Sequence, residues 1–275
     1  MTAFQTQFKA ELIAGFEQTE SLIRKTVTTE GTMKGNSFVF AVGDSGSAEA
    51  VTRGTNGLIP ARADNIAQYT ATLVEWHDLV RRTEFNIFAS QGDGRKLMQN
   101  TVMGTINRKM DQDILLGLSA ATQTTGAAQQ ASLDLVMYAK VILGNNEVPA
   151  DGNISAIISP AFHAELMKTT EFASVDYIND KPFTNMPVMF RWAGVNFIEH
   201  PNLAGKGTAA EICYMYHKSA IGHAASTAGL TTAVGYDEEQ DYSFARCSMY
   251  MGSKLLQNSG IVKITHDGSN YAAQA

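Results

Sequence analysis

The run from Ile66 to Leu118 constrains the fold most, because an extended segment there leads into one long helix. Residues 69–73 alternate in polarity, as a half-buried strand does. After a glycine-rich break at 91–94, residues 95–118 lack proline and carry one apolar ridge: Met98, Val102, Ile106, Met110 and Ile114. At ~1.5 Å per residue, this helix would be roughly 35 Å long. A long arm joined to a long helix favours contacts between neighbouring chains over an enclosed pocket.

The composition indicates a folded chain that does not bind polyanions tightly. Its 275 residues are 44% hydrophobic and 17% charged, which suits one large domain or two interleaved subdomains. The net charge of −6 has the wrong sign for a dedicated nucleic-acid binder, although a protein that encloses nucleic acid is not excluded. Residues 1–9 lack the pattern of a secretory signal, and no apolar run reaches the ~18 residues of a membrane span. We therefore expect synthesis in the cytosol, with Cys213 and Cys247 reduced.

The N-terminal part of the sequence predicts an arm followed by a long hairpin. Apolar side chains four residues apart form a stripe on a short helix: Phe4, Phe8, Leu12 and Phe16. This stripe either packs on its own domain or docks on a neighbour. Strands at 38–42 and 66–74 flank glycine-rich turns, so we expect a β-hairpin with an extended tip. Two strands cannot bury both of their faces, so the hairpin must lie on other structure.

Beyond residue 131 the sequence predicts a compact α/β region and then further strands. Helices are expected from Ser132 to 144–146 and over 161–168, with a third, short helix at 218–225. The predicted strands of this region are 154–158, 188–191, 195–199 and 212–216. Residues 242–264 are expected to be strand-rich, with turns at Gly252 and 258–260. On the long helix, Lys109 and Asp113 are spaced to form an ion pair on the outer face.

Three groups of residues could imitate a catalytic or metal site, and a structural role explains each better. Ser45 lies in Gly-Asp-Ser-Gly, which is similar to the nucleophile segment of trypsin-like proteases, but no histidine precedes it and the segment predicts a turn. The soft-ligand cluster consists of Cys213, His217 and His223. A structural zinc site needs a fourth ligand, and Cys213 lies in an apolar strand. Glu75 and Asp78 flank His77 without an oriented partner. We expect no catalytic residue, no metal and no cofactor.

Charged residues offer the other candidate site. The acidic run 237–241 is typical of a solvated turn between strands. Its functional interpretation is an inter-subunit contact, in which these carboxylates pair with arginines of another copy of the chain. The residues of this hypothesis are Asp237, Glu238 and Glu239 on one side and Arg53, Arg62, Arg81 and Arg82 on the other.

Four segments carry a family resemblance. Residues 83–88 with Asp93 lead into the long helix, and Arg108 to Leu115 is similar to an Arg-x-x-Asp-x-x-Ile-Leu pattern near the end of that helix. Residues 215–221 resemble a strand ending in aromatic-His-Lys-small-Ala-Ile, and residues 251–264 resemble closing strands. In this order, the elements resemble the major capsid proteins of tailed bacteriophages, whose architecture is the Hong Kong 97-type fold.

The resemblance implies an α+β fold and a division of the chain into five parts. These are an N-terminal arm, an extended β-hairpin loop, a peripheral domain with the long spine helix, a compact axial α/β domain, and closing strands with a C-terminal tail: 1–30, 31–82, 83–130, 131–228 and 229–275. It also implies a structural, non-enzymatic protein. Such a protein assembles into pentamers and hexamers of an icosahedral head, which encloses double-stranded DNA without sequence-specific binding.

The resemblance implies partners and alternatives as well. The strand at Phe38 begins too early for a fused scaffold, so we expect a separate scaffolding protein, together with a portal and a decoration protein. The expected location is the virion capsid, after synthesis in the host cytoplasm, with no membrane involved. One alternative is an encapsulin, a cargo-holding shell of the same fold. The alternative of another class is a hydrolase that uses Ser45 or the cluster of Cys213, His217 and His223.

Overall fold

The computed structural model describes residues 20–30, 35–45, 48–62, 65–83, 94–170, 189–226 and 231–274. Three α-helices lie within these ranges: α1 (Gly94–Ser119), α2 (Leu133–Asn145) and α3 (Pro160–Leu166). The strands are β1 (Thr28–Glu30), β2 (Ser37–Asp44), β3 (Asn65–Thr72), β4 (Val74–Thr83), β5 (Ile154–Ile158), β6 (Met189–Trp192), β7 (Val195–Glu199), β8 (Glu211–His217), β9 (Ile221–Ala225), β10 (Thr231–Asp237), β11 (Tyr242–Leu255) and β12 (Ile261–His266). The fold is α+β, as predicted. The apolar stripe at Phe4 to Phe16 lies outside the described residues.

The long helix α1 forms as its ridge predicts. All five ridge side chains are at most 3% exposed, and they pack against β11 and β4. Gly117 lets β9 approach the helix closely, because a Cβ there would lie 2.9 Å from the Ile221 side chain. The predicted ion pair between Lys109 and Asp113 is wrong. The Lys109 ammonium lies 3.8 Å from the centre of the Trp76 ring, and Asp113 accepts a hydrogen bond of 2.6 Å from the Ser253 hydroxyl.

The predicted hairpin is confirmed. β2 and β3 pair antiparallel from Ser37↔Thr72 to Asp44↔Asn65, and residues 48–62 of the tip contain no strand. The base of the hairpin packs on β9, where Phe40 lies against Gly222; a Cβ at that glycine would lie 2.7 Å from the ring. The hairpin is therefore held at its base, while its tip extends beyond the packed sheets.

In the part of the chain that the structure describes, two five-stranded sheets form the body. One has the order β12-β8-β5-β7-β6, with β5 buried along its whole length. In the other, β1, β9, β11 and β10 follow in order and β4 pairs with the opposite edge of β11. Helices α2 and α3 begin as predicted, with the hydroxyls of Ser132 and Ser159 accepting hydrogen bonds from Leu135 and Phe162 amides. Sheet pairing crosses the expected part boundaries, since β9 joins β11 and β12 joins β8.

Two local predictions are wrong, and both errors involve small residues. Residues 218–220 form a single 3₁₀ turn, after which residues 221–225 form the strand β9 instead of a helix. This strand is buried on both faces, so it lacks the alternation that marks a half-buried strand. Gly252 is not a turn, because β11 runs through it. It is a glycine because a Cβ there would lie 2.2 Å from the Thr72 carbonyl oxygen.

We expect Gly252→Ala to lower the free energy of unfolding by about 1–3 kcal/mol, since either β11 or the end of β3 must shift. Gly144→Ala is the matched control, because nothing lies within 4 Å of its added Cβ at the end of α2. Thermal unfolding compares the two variants with the parent. Equal melting temperatures for both variants would contradict the close approach at Gly252.

Candidate functional site

The residues of the hydrolase alternative are not brought together. Ser45 is exposed just beyond β2, and its backbone carbonyl accepts hydrogen bonds from the Ala48 amide at 3.2 Å and the Arg62 guanidinium at 3.5 Å. Cys213 is fully buried in β8, and this burial raises the pKa of its thiol. His217 bonds to Asp151 at 3.1 Å and His223 to the Ser253 hydroxyl at 3.0 Å. Among the described residues, no group of three or more ligand side chains could hold a metal.

One Ser–His–Glu contact does exist on the open face of the β4–β11 pair. His77 Nδ1 lies 2.9 Å from the Ser248 hydroxyl, and His77 Nε2 lies 3.0 Å from a Glu75 carboxylate oxygen. Asp78, the other acid noted in the sequence, lies opposite Cys247 on the other face of the sheet. Ser248 is only 5% exposed and lies mid-strand, paired with both β10 and β4. Such a serine lacks the sharp turn that presents a nucleophile, so we interpret the contact as a cross-strand ladder.

The hairpin tip is an exposed apolar surface. Every residue from 48 to 62 is exposed, and the large apolar side chains Val51, Leu58 and Ile59 are 64%, 74% and 70% exposed. Ile66, at the start of β3, is also exposed. Exposed apolar side chains grouped on one loop are typical of a protein–protein contact surface, because soluble monomers rarely expose large apolar patches.

The charged residues lie in two places. At one end of the β4–β11–β10 sheet, the Arg81 guanidinium lies 4.8 Å from the centre of the Tyr242 ring and faces Asp237. The Tyr242 hydroxyl, the amides of Gln240 and Glu239 and the Arg81 charge lower the pKa of Asp237. The acidic run is therefore a capped turn between β10 and β11, as predicted, with Glu238 and Glu239 exposed. At the other place, the hairpin tip, Arg53 and Arg62 are exposed.

The seven residues of the inter-subunit hypothesis thus differ in their surroundings. Arg81 and Asp237 already lie together within one chain. Arg82 is half-buried and lies opposite Ser243, on the face of the sheet that packs on α1. Four exposed residues remain suited to reach another copy: Arg53, Arg62, Glu238 and Glu239.

Sequence reasoning missed two buried polar clusters. In the first, Asp111 of α1 is fully buried beside His200. Its carboxylate accepts hydrogen bonds from the Ser21 hydroxyl and from the Leu22 and Ile23 amides. The sequence did contain a signal for the burial of Asp111, because this residue lies on the same helix face as the buried Ile114 and Leu118.

The second cluster joins α3, β8 and β12 through three buried side chains. His266 Nε2 lies 2.9 Å from a Glu165 oxygen, and His266 Nδ1 lies 3.7 Å from a Glu211 oxygen. The three residues come from positions far apart in the chain, so no local pattern could have indicated their contact.

Comparisons with known proteins indicate both a family and a fold for this chain. A family model described as "Phage capsid protein" matches residues 1–268. A solved structure from Mycobacterium phage Che8 superimposes with a TM-score of 0.77 at 16% identity, covering 96% of this chain and 98% of the other. The Cyanophage Pam1 capsid gives 0.74 at 10% identity, with 97% of each chain covered. The capsid of a native GTA particle gives 0.71 at 13% identity, with coverages of 96% and 95%. No curated protein matches significantly.

These likenesses identify the fold as the Hong Kong 97 type that the sequence predicted. Within the described ranges, none of the helices combines the length and apolar character needed to cross a membrane.

Proposed function

This chain belongs to the phage capsid protein family, and from that premise we propose that copies of it join as pentamers and hexamers into the icosahedral head of a phage. The head encloses double-stranded DNA without sequence-specific binding. The protein acts as a structural major capsid protein without a catalytic role. An encapsulin is not favoured, because the matching family is one of phage capsid proteins.

The observation that carries the proposal is the hairpin tip. It projects from a base packed at Phe40, and its exposed apolar side chains have no cover among the described residues of the chain. A neighbouring subunit supplies that cover in a ring, where each tip lies on the next copy and the contacts close by rotation.

The test is to replace Val51, Leu58 and Ile59 by serine. We expect a folded subunit with an unchanged melting temperature and a loss of shells in negative-stain images, since these side chains are exposed in the single chain. Thr52→Ala with Thr55→Ala is the control in the same tip and should leave the shells intact. Normal shells from the serine variant would contradict the role of the tip.

We further propose that the exposed charges extend this contact, with Glu238 and Glu239 pairing with Arg53 and Arg62 of a neighbour. Exposed like charges on a shared interface repel, so Glu238→Lys with Glu239→Lys should reduce the yield of shells, most strongly at low salt. Adding Arg53→Glu and Arg62→Glu should restore it. A quadruple variant no better than the double variant would contradict this pairing.

The remaining proposals concern the surroundings of the shell. We propose residues 131–228 as the axial domain near capsomer centres, with β12 completing its sheet and β9 paired into the other sheet. A separate scaffolding protein, a portal and a decoration protein are the proposed partners. The protein is made in the host cytoplasm and ends in the virion capsid.

A further inference from the structure

A basic pocket lies where the segment before β1 meets the end of β8. It has a volume of about 550 Å³ and is lined by Arg24, Lys25, Val27, Thr28, Thr29 and Lys218. None of these lining residues is acidic. In a chain with a net charge of −6, three cations around one concavity form an exception to the general surface charge.

Two of the three cations have no carboxylate partner among the described residues. Lys25 lies 3.6 Å from Glu20, and both side chains are more than three-quarters exposed, so this pair contributes little. The Arg24 guanidinium and the Lys218 ammonium make no ion pair within the described ranges. Within the described ranges, therefore, no carboxylate neutralises either of these two charges.

The backbone around the pocket is fixed by hydrogen bonds. The Thr29 hydroxyl donates to the Arg24 carbonyl and the Thr28 hydroxyl to the Lys218 carbonyl, each at 3.1 Å. β1 pairs in parallel with β9, which follows Lys218 after one 3₁₀ turn. The backbone of Arg24 and Lys218 is therefore held in place before an anion binds. Less conformational entropy is lost when an anion bridges the two side chains.

We propose that this pocket binds a phosphate of the enclosed DNA backbone, an inference that rests on the proposed function. A guanidinium binds phosphate oxygens through two parallel hydrogen bonds, and an ammonium adds a point charge. Duplex DNA presents one phosphate per ~1.7 Å of its axis, so phosphates are dense wherever DNA lies against the shell. Successive phosphates along a DNA strand bring more negative charge to three cations than the single carboxylate of a neighbouring subunit would. The contact holds DNA without reading its sequence.

The test uses full-length subunits before they assemble, because a closed shell would keep added DNA from its inner surface. Binding of a fluorescent 20-base-pair duplex is followed by anisotropy over a range of salt concentrations. Arg24→Gln with Lys218→Gln is the pocket variant, and Lys206→Gln with Lys254→Gln removes two exposed lysines elsewhere as the matched control. We expect the pocket variant to reduce the slope of log affinity against log salt by about 1–2, and the control to leave it near the parent value. Lys218→Gln alone, at an exposed position, repeats the test if the double variant is unstable.

Particle mass is measured on assembled portions of the same preparations, and inorganic phosphate is added to the binding samples as a competitor. Displacement of the duplex only by a large excess of inorganic phosphate supports DNA as the source of the phosphate, whereas equal competition at matched phosphate concentration overturns it. Equal losses of binding in both variants, or no binding by the parent, also overturn the proposal. Loss of shells in the pocket variant with DNA binding unchanged would assign the pocket to a neighbouring subunit's carboxylate. Absence of shells from the parent would instead contradict the proposed function.

Discussion

Replacing Asp111 by alanine is expected to lower the free energy of unfolding by about 3–5 kcal/mol, because it leaves buried donors without an acceptor. The carboxylate accepts from the Ser21 hydroxyl at 2.5 Å and from the Leu22 and Ile23 amides at 3.2 and 3.4 Å. His200 Nε2 lies 3.4 Å from it. Because His200 Nδ1 accepts a hydrogen bond from the Asn202 amide, a neutral ring carries its proton on Nε2, facing Asp111.

The location of this carboxylate explains the size of the effect. It connects residues 21–23, the long helix and the residue after β7, His200, and the Asp111 and His200 side chains are both fully buried. Loss of the carboxylate should also release the chain at residues 21–23, so trypsin should cut faster at the adjacent Arg24 and Lys25.

Asp113→Ala is the control on the same helix. Its carboxylate is partly exposed and bonds to the Ser253 hydroxyl, so a smaller loss of stability is expected. Denaturant unfolding and a trypsin time course measure both effects. Equal free energies of unfolding for the Asp111 and Asp113 variants would contradict the importance of the hydrogen bonds that Asp111 makes.

Replacing Glu165 by alanine is expected to have a similar effect, about 3–5 kcal/mol, since it removes one partner of a buried charged cluster. Glu165 accepts from the Ala131 amide at 2.7 Å, from His266 at 2.9 Å and from the Asn270 side chain at 3.2 Å. Without it, the fully buried His266 loses its hydrogen-bonded partner, and Glu211 at 3.7 Å is the carboxylate that remains beside it. A loss below 1 kcal/mol in denaturant unfolding would contradict the importance of the cluster.

The same cluster predicts how stability depends on pH. Burial opposes the charged form of His266, but the negative charges of Glu211 and Glu165 and the hydrogen bond with Glu165 outweigh it and raise the pKa above 6.5. Burial likewise opposes the Glu211 carboxylate, but the facing His266, the nearby Ser159 hydroxyl and the hydrogen bond from the Gly207 amide lower its pKa below 4.5.

The signs of these two shifts differ. The contribution of His266 is complete below pH 6.5 and is lost as pH rises through its raised pKa; that of Glu211 is complete above pH 4.5 and is lost as pH falls through its lowered pKa. The melting temperature should therefore be highest between these values. His266→Gln should flatten its decline on the alkaline side, and an unaltered alkaline decline in that variant would contradict the assignment.

Regular periodicity is what made most of the fold predictable. The ridge from Met98 to Ile114 and the alternation in the hairpin each describe one buried face, which local sequence encodes directly. The strand β9 was not predictable in this way, because a strand buried on both faces and built of small residues resembles a helix. Gly252 marked a close approach of β3, which depends on a residue 180 positions away.

The candidate site was predictable in its exposed parts only. The glycine-rich tip and the acidic turn show their exposure in composition, so Arg53, Arg62, Glu238 and Glu239 could be named from sequence. The contacts of Asp111 with residues 21–23 and of Glu165 with His266 span 88 to 101 positions. Local sequence carries no information on such pairs. Which arginines form ion pairs between copies also depends on the position of the neighbouring subunit, which the sequence of one chain does not encode.

The central claim is that this chain builds a shell with copies of itself, and its most direct test is the mass of the purified protein in sedimentation velocity. One chain has a mass of 29.7 kDa. Self-assembly predicts rings of about 150 and 180 kDa, which correspond to five and six chains, and particles of megadalton mass. A single species of 29.7 kDa that persists as the protein concentration is raised would contradict the claim.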